Sequence, residues 1–237
     1  MKIEITIPVL NEEKTIVQQI EKIVSFISLL NCRHSFSLII SDNGSTDNTM
    51  MLGKVLEEDY SGIVHYLNVG KRGVGLALKT SWLQSAADYV GYMDLDLATD
   101  LNHITDILNV IESHNPDIIY GSRLHRNSRV VGRSLKREVT SRVFNRIVRS
   151  YMNTSFSDGM CGFKFLKRSI AKELINAGAS SDGWFFCTEI LIVAEWNKKY
   201  LYELPVRWTD DANSKVNIKN LTIEYIKAMY NLKRRYK

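Results

Sequence analysis

Short apolar runs and amphipathic stretches alternate along the first half of the chain, and this alternation constrains the fold more than any other feature. Residues 3–9 read as a strand, 12–30 as a helix with Ile16, Ile20, Ile23, Ile27 and Leu30 on one face, and 36–41 as a second, buried strand. Helices over 46–58, 75–87 and 102–113 then alternate with strands over 63–67, 89–93 and 118–121. Asp47 falls among the first residues of the 46–58 helix, where its charge favours the positive end of the helix dipole. Repeated strand–helix units imply an α/β fold with a mostly parallel central sheet, helices on both faces, and ligands at the carboxyl ends of the strands. No internal repeat, low-complexity stretch or Pro/Gly-rich linker interrupts the 237 residues, so one domain over 1–237 is expected, long enough to bury a sizeable core.

Three cysteines (Cys32, Cys161 and Cys187) are widely spaced and odd in number, which argues against a disulfide framework or a zinc site and fits a reducing compartment. The opening residues alternate like a strand rather than forming a secretory apolar region, and no apolar run approaches the roughly 18 residues of a spanning helix. The net charge of +5 is concentrated: residues 121–150 carry nine Lys and Arg against Glu138 alone, which leaves the rest of the chain at −3. Lys227, Lys233, Arg234, Arg235 and Lys237 add a second basic zone, so the expected partner is an anion such as a phosphate or a lipid headgroup. A nucleic acid is disfavoured because no interleaved aromatic motif accompanies the charge.

The predicted strand ends carry the chemistry. They lead into Pro8-Val9-Leu10-Asn11-Glu12-Glu13, Asp42-Asn43-Gly44-Ser45-Thr46-Asp47, Asn68-Val69-Gly70-Lys71-Arg72-Gly73-Val74-Gly75 and Asp94-Leu95-Asp96. Four polar loops on one sheet edge make a nucleotide-sized crevice. Strand alternation aims Asp94 and Asp96 the same way, and such a pair suits Mg²⁺ or Mn²⁺, hard cations that bridge carboxylates to phosphates. The glycine stretch alone is weak, since it lacks the Lys-Ser/Thr ending of a P-loop and the full dinucleotide fingerprint.

In order and spacing these loops resemble inverting nucleotide-sugar glycosyltransferases of family 2 with the GT-A fold. The resemblance is greatest to the dolichyl-phosphate glucosyltransferase and dolichyl-phosphate mannose synthase branch. It implies that Pro8, Val9, Asn11 and Glu12 lie against the nucleotide, that Asp42 meets the base or ribose, and that Lys71, Arg72 and Gly75 belong to the donor side. Asp94 and Asp96 match the metal and diphosphate motif. Asn43, Ser81 and Ala98 stand where the family often has Asp, Gly and, in the mannose synthases, Gln.

The second half carries the rest of the resemblance. Gly121-Ser122-Arg123 and Arg137-x-x-x-Ser141 resemble acceptor-phosphate motifs. Asp158-Gly159-Met160-Cys161-Gly162-Phe163-Lys164 is similar to the glucosyltransferases' Asp-x-Gln-Cys-Gly-Phe-Lys, which puts Asp158, Gly162 and Lys164 on the acceptor side. Trp184-Phe185-Phe186-Cys187-Thr188-Glu189 resembles Trp-x-Phe-Asp-x-Glu with Cys187 in place of Asp. Leu204-Pro205-Val206-x-Trp208, then Ser214-Lys215, resemble the closing motifs. The resemblance implies a nucleotide-sugar-binding half over 1–121, an acceptor half over 122–216 and a basic C-terminal helix over 217–237.

The implied reaction is transfer of a hexose from a UDP-glucose-like or GDP-mannose-like donor to a polyprenyl phosphate. A metal on Asp94 and Asp96, helped by Lys215 and Arg72, neutralises the departing diphosphate. A lipid phosphate is already an anionic nucleophile, so it needs guanidinium groups such as Arg123 and Arg137 more than a general base. Glu189 is the candidate for orienting a donor hydroxyl, or for acting as base if the acceptor is a hydroxyl. Two alternatives stay open: a saccharide or glycolipid hydroxyl as acceptor, and a non-catalytic sugar-nucleotide- or anion-binding partner subunit.

Leu135, Val139, Val143, Ile147 and Tyr151 recur every four residues over 134–151, with Arg142, Arg146 and Arg149 on another face. This reads either as a basic amphipathic helix on an anionic bilayer or as an ordinary packing helix. Residues 221–236 repeat the pattern with Ile223, Ile226 and Tyr230. The expected location is the cytoplasmic face of a membrane, held peripherally, through a partner subunit or as a homo-oligomer. The remaining arginines of 121–150, among them Arg126, Arg129 and Arg133, are expected to be surface charges. His34, His65, His103, His114 and His125 are expected to be structural or exposed, and Trp184 and Trp208 to serve packing.

Overall fold

The computed structural model describes residues 1–210 and 218–236. The first half contains β1 (Lys2–Val9), α1 (Ile16–Leu29), β2 (Ser35–Asp42), α2 (Thr49–Asp59), β3 (Val64–Asn68), α3 (Val74–Gln84), β4 (Tyr89–Met93), α4 (His103–His114) and β5 (Ile118–Ser122). The second half contains β6 (Arg129–Val131), α5 (Leu135–Met152), β7 (Phe163–Lys167), α6 (Arg168–Asn176), α7 (Phe186–Trp196), β8 (Leu201–Pro205), β9 (Arg207–Thr209) and α8 (Ile218–Arg235). The seven-stranded sheet runs β3-β2-β1-β4-β7-β5-β8, while β6 and β9 form a separate parallel pair. All neighbours in the large sheet are parallel except β7, which runs antiparallel to both β4 and β5. One sheet therefore passes through both halves of the chain.

Alternation along β1 explains the two layers. Ile3, Ile5, Ile7 and Val9 pack with the apolar stripes of α1 and α4 on one face. Glu4 and Thr6 point the other way and are also buried. Thr6 finds a partner in Ser81 Oγ of α3 at 2.8 Å. The second layer is built from α3, α5, α6, α7 and α8, centred on Trp82, Tyr92, Phe185, Phe186 and Tyr225.

Two helices begin later than the sequence suggests. The first starts at Ile16 because residues 10–15 turn, with Asn11 in the left-handed region at φ 56° and Glu12 O accepting from Thr15 and Ile16. The second starts at Thr49, whose N–H donates to Asp47 Oδ1 over 3.0 Å; Asp47 caps the helix from outside instead of lying in its first turn. The helix expected over 134–151 forms over Leu135–Met152, with Ser134 Oγ accepting from Arg137 N.

Candidate active site

The first two loops are stitched together at the carboxyl edge of the sheet. Asn11 Oδ1 accepts from Thr46 N at 2.8 Å, Asn11 N donates to Ser45 Oγ at 2.9 Å, and Glu12 N donates to Thr49 Oγ1 at 2.8 Å. Pro8 and Glu12 are half-buried and Asn11 is exposed, so these three line the edge. Val9 does not: its side chain is core, and its carbonyl accepts from both the backbone N–H and Nδ2 of Asn43. Asp42 is likewise enclosed. Its Oδ1 accepts from Gly44 N and Ser45 N, and its Oδ2 accepts from Tyr66 OH at 2.7 Å. With no solvent exposure, the Asp42 carboxylate shapes the second loop.

The glycine stretch also has a different use from the one expected. A Cβ on Gly75 would overlap Ser181 O and the Phe186 side chain, and one on Gly73 would lie 2.6 Å from Asp182 O. The N–H groups of Gly75 and Leu76 donate to Gly183 O and Asp182 O over 3.2 and 3.0 Å. The N–H groups of Gly75 and Leu76 in the first turn of α3 are thus satisfied by protein carbonyls, and Gly75 allows close packing against the 181–186 segment. Glu189 anchors the same segment. It is buried, its Oε2 accepts from Ser181 N at 2.7 Å, and its Oε1 accepts from Arg235 Nη2 at 3.0 Å. Burial raises its pKa, with Ser181 and Arg235 opposing. These bonds tie Glu189 to α8 and the 180–183 segment. Lys71 and Arg72 are exposed on the turn before α3.

At the end of β4, Asp94 is half-buried and Asp96 exposed. Asp94 N donates to Gly162 O at 3.2 Å, and a Cβ on Gly162 would collide with Asp94 Oδ2. Gly162 therefore contributes by lacking a side chain. Asp96 Oδ1 accepts from Ala98 N at 3.0 Å, and Leu97 between them adopts φ 53°, a strained conformation for a bulky side chain. Burial, then repulsion from Asp96, pushes the Asp94 carboxyl up to about 7, against the opposing pull of Lys164 and Arg123. Carboxylates that resist sharing their charge favour a cation between them. The donor set therefore fits a hard divalent ion held by Asp94 and Asp96. No cluster of three or more His, Cys, Asp or Glu able to hold a metal exists among the described residues, so further ligands would come from phosphate and water.

Across the β7 turn lies a basic cluster. Asp158 is fully buried and receives Arg123 through Nε (2.7 Å), Nη2 (2.9 Å) and the backbone N–H (3.1 Å). Burial alone would raise Asp158, but the guanidinium brings it down to about 2. Burial also works against the charge of Arg123, and Asp158 more than offsets it. Asp158 is thus the counter-ion of Arg123. Lys164 is buried too, with Nζ donating to Gly159 O at 3.1 Å, Cys161 O at 2.6 Å and Tyr92 OH at 3.3 Å. It pins the 158–162 turn from beneath, and its position is not that of an acceptor-lining side chain. Arg137 on α5 is about one-third exposed and donates to Asp210 Oδ1 at 2.7 Å. Ser141, one turn further on, has an Oγ closed to solvent and without a hydrogen-bond partner. Asn145 docks this face of the helix by accepting from Gly159 N at 2.9 Å.

The structure thus brings Asp94, Gly162, Lys164, Arg123 and Asp158 into one connected region. It sets Glu189 and Gly75 in a second one behind α3. Lys215 and Ser214 lie outside the described residues. Three participants have no signature in the sequence: Tyr66, which holds Asp42; Asp210, the partner of Arg137; and Arg133, whose side chain is 9% exposed beside Trp208. All three depend on contacts across long separations, although the run of arginines before α5 did mark the region.

Residues 4–175 match the family described as Glycosyl transferase family 2. The glycosyltransferase AglD of Haloferax volcanii is 29% identical over 218 residues, covering 92% of this chain but 35% of that protein, about a third of its length. The dolichyl-phosphate beta-glucosyltransferases of Dictyostelium discoideum and Saccharomyces cerevisiae are 28% and 27% identical, covering 99% and 97% of this chain and 74% and 72% of theirs. Among solved structures, glucosyl-3-phosphoglycerate synthase from Mycobacterium tuberculosis in complex with Mn²⁺, UDP and glucosyl-3-phosphoglycerate superimposes with a TM-score of 0.70. The match has 17% identity and covers 98% of this chain and 79% of that one. The α/β sheet described above is thus the GT-A fold.

Proposed function

We propose that this chain, which belongs to glycosyl transferase family 2, transfers a hexose from a nucleotide sugar to a polyprenyl phosphate. The donor reading is UDP-glucose first and GDP-mannose second. In this reading Pro8, Asn11, Glu12, Lys71, Arg72 and Lys215 serve the nucleotide side, while Arg123, Arg137 and Ser141 serve the acceptor phosphate. Asp42, Gly75, Asp158, Gly162 and Lys164 support them from within. Asp94 and Asp96 would hold Mg²⁺ or Mn²⁺, which when bound neutralises charge on the departing diphosphate. A phosphate oxygen of the acceptor attacks the anomeric carbon as the bond to the nucleoside diphosphate breaks, and no proton needs to be removed. The halves over 1–121 and 122–216 supply donor and acceptor contacts to the one site.

One observation carries the choice of acceptor. The carboxylate that a hydroxyl acceptor would need, Glu189, is fully buried and bonded to Ser181 N and Arg235, whereas Arg137, though paired with Asp210, keeps about a third of its side chain exposed. The names of the relatives agree with a lipid phosphate.

The reading extends to peripheral attachment at the cytoplasmic face of a membrane. No helix among the described residues is long and apolar enough to cross one. Leu135, Val139, Val143, Ile147 and Tyr151 on α5 are 40–85% exposed, and Ile223, Ile226 and Tyr230 on α8 are each more than half exposed. Between the two helices runs a groove of about 510 Å³ lined by Val143, Arg146, Ile147, Ser150, Tyr151 and Lys233. Apolar side chains flanked by cations favour an anionic bilayer over packing within the chain.

The deciding experiment incubates the full chain and Mn²⁺ with labelled UDP-glucose or GDP-mannose. Polyprenyl phosphate, polyprenol and an oligosaccharide are offered separately as acceptors. Label is expected in the lipid phosphate product alone. Transfer to the oligosaccharide without transfer to the lipid phosphate would overturn the proposal.

A further inference from the structure

Trp208 on β9 joins the two sides of the candidate site. Its backbone forms an antiparallel bridge with Thr99, and the adjacent Thr209 N–H donates to Ala98 O at 2.8 Å. Asp100 N donates back to Arg207 O at 3.1 Å. These bonds fasten β9 to the loop that carries Asp94 and Asp96. The indole meanwhile lies beneath two guanidinium groups, with Arg123 Cζ 5.3 Å and Arg133 Cζ 5.8 Å from the ring centre.

Arg133 is not the surface charge that its place in a basic run suggests. Its Nη1 is closed to solvent and stands 3.2 Å from Glu138 Oε2 without making a hydrogen bond. Burial, then repulsion from Arg123, lowers its pKa. Two cations converging on one aromatic ring are stabilised by the ring face and repel each other, although each also faces a carboxylate, Asp158 for Arg123 and Glu138 for Arg133. An anion arriving at this cluster relieves that repulsion. Any resulting shift of the guanidinium groups presses on a rigid plate whose strand is bonded to Ala98 and Thr99.

We propose that Trp208 is a positioning residue that couples the guanidinium groups of Arg123 and Arg133 to the Asp94–Ala98 loop, so that an anionic acceptor and a metal-bound nucleoside diphosphate each tighten binding of the other. The identity of the two ligands rests on the function proposed above. Linkage makes the effect reciprocal: the factor by which the acceptor tightens the nucleotide is the factor by which the nucleotide tightens the acceptor.

Calorimetric titration of the full chain tests this with Mn²⁺ plus UDP, and separately Mn²⁺ plus GDP, in the absence and presence of saturating geranyl phosphate. The wild-type chain is expected to bind the nucleotide about 5- to 20-fold tighter when the lipid phosphate is present, within the usual span of coupling between sites. In W208L and R133M this ratio falls to near one, whereas a merely structural loss would weaken both affinities and leave their ratio intact. W208F, which keeps an aromatic face, retains part of the coupling and serves if W208L does not fold. A wild-type ratio in both W208L and R133M, or a wild-type chain that binds both ligands independently, overturns the coupling and leaves the proposed function standing. A wild-type chain that binds Mn²⁺–nucleotide but never the lipid phosphate overturns the acceptor reading and the coupling with it.

Discussion

Gly162 lies directly beneath the Asp94 carboxylate: it accepts the Asp94 backbone N–H, and the space its own Cβ would fill is occupied by Asp94 Oδ2. Replacing it with alanine should therefore displace the carboxylate without opening the core. G162A is expected to remain folded by circular dichroism and to lose at least about tenfold in Mn²⁺-dependent nucleotide binding, the effect of roughly 1.4 kcal/mol. Calorimetric titration checks the value.

Asp94 itself should trade stability for function. Its folded pKa of about 7 exceeds the ordinary 3.8, so its favourable contribution is present below about 3.8 and is lost as pH rises through about 7. In metal-free buffer D94N should melt a few degrees higher than wild type at pH 8, on the order of 2–4 °C per kcal/mol for a chain this size, and no higher at pH 3.5. Turnover should be abolished. Melting curves in chelator at the two pH values test the sign.

The Arg123–Asp158 pair should behave in the opposite sense. Asp158 sits at about 2, so the stability it supplies is present above about 3.8 and is lost as pH falls toward 2. D158N leaves a buried guanidinium without its counter-ion and is expected to cost about 3–5 kcal/mol. Urea unfolding at neutral pH measures that loss. A mutant within experimental scatter of the wild type would overturn the expectation that Arg123 depends on Asp158 for its burial.

Arg137 and Glu189 should separate by kind of damage. R137A is expected to lower kcat/KM for a lipid phosphate about ten- to a hundredfold while sparing nucleotide binding. E189Q should leave kcat near normal but lower stability by about 1–3 kcal/mol, because Ser181 N and Arg235 lose a charged acceptor. Kinetics and melts on both mutants distinguish this from the reverse pattern, which would indicate a hydroxyl acceptor and a carboxylate base.

The exposed stripe on α5 predicts association with anionic vesicles that weakens steeply with salt. The double substitution V143D/I147D should abolish sedimentation with phosphatidylserine-containing vesicles without changing the melting temperature. Equal binding to neutral vesicles at high salt would assign the stripe to another partner.

The first five strands and four helices were legible in order because each amphipathic or apolar run is bounded by a polar loop. Asp94 and Asp96 were legible because two carboxylates end a run that is otherwise buried. What escaped depends on partners remote in sequence. Strand β7 reads Phe163-Lys164-Phe165-Leu166-Lys167, an alternation that looks half-exposed, yet Lys164 is buried because Gly159 and Cys161 carbonyls receive its ammonium. The counter-ion of Arg123 also escaped, since nothing nearby in sequence announces Asp158 as its partner. Gly75 looked like a phosphate contact, since the carbonyls that crowd it come from residues more than a hundred positions later. Conversely, the stripe on α5 allowed either membrane contact or packing, and its exposure shows that it does not pack against the described residues.

The antiparallel placement of β7 sets a timetable for biosynthesis. Strand β4 ends at Met93, and the strand that covers its open side begins at Phe163, about seventy residues later. At roughly 5–20 residues per second, a ribosome needs on the order of 4–14 s to deliver it. A sheet β3-β2-β1-β4 formed in that interval would present an unpaired edge along β4, the kind of template on which chains join each other. Strand β5 cannot protect it, because its pairs in the finished sheet are with β7 and β8 alone. The same closure that seats Gly162 under Asp94 thus has to wait until β7 has been synthesised.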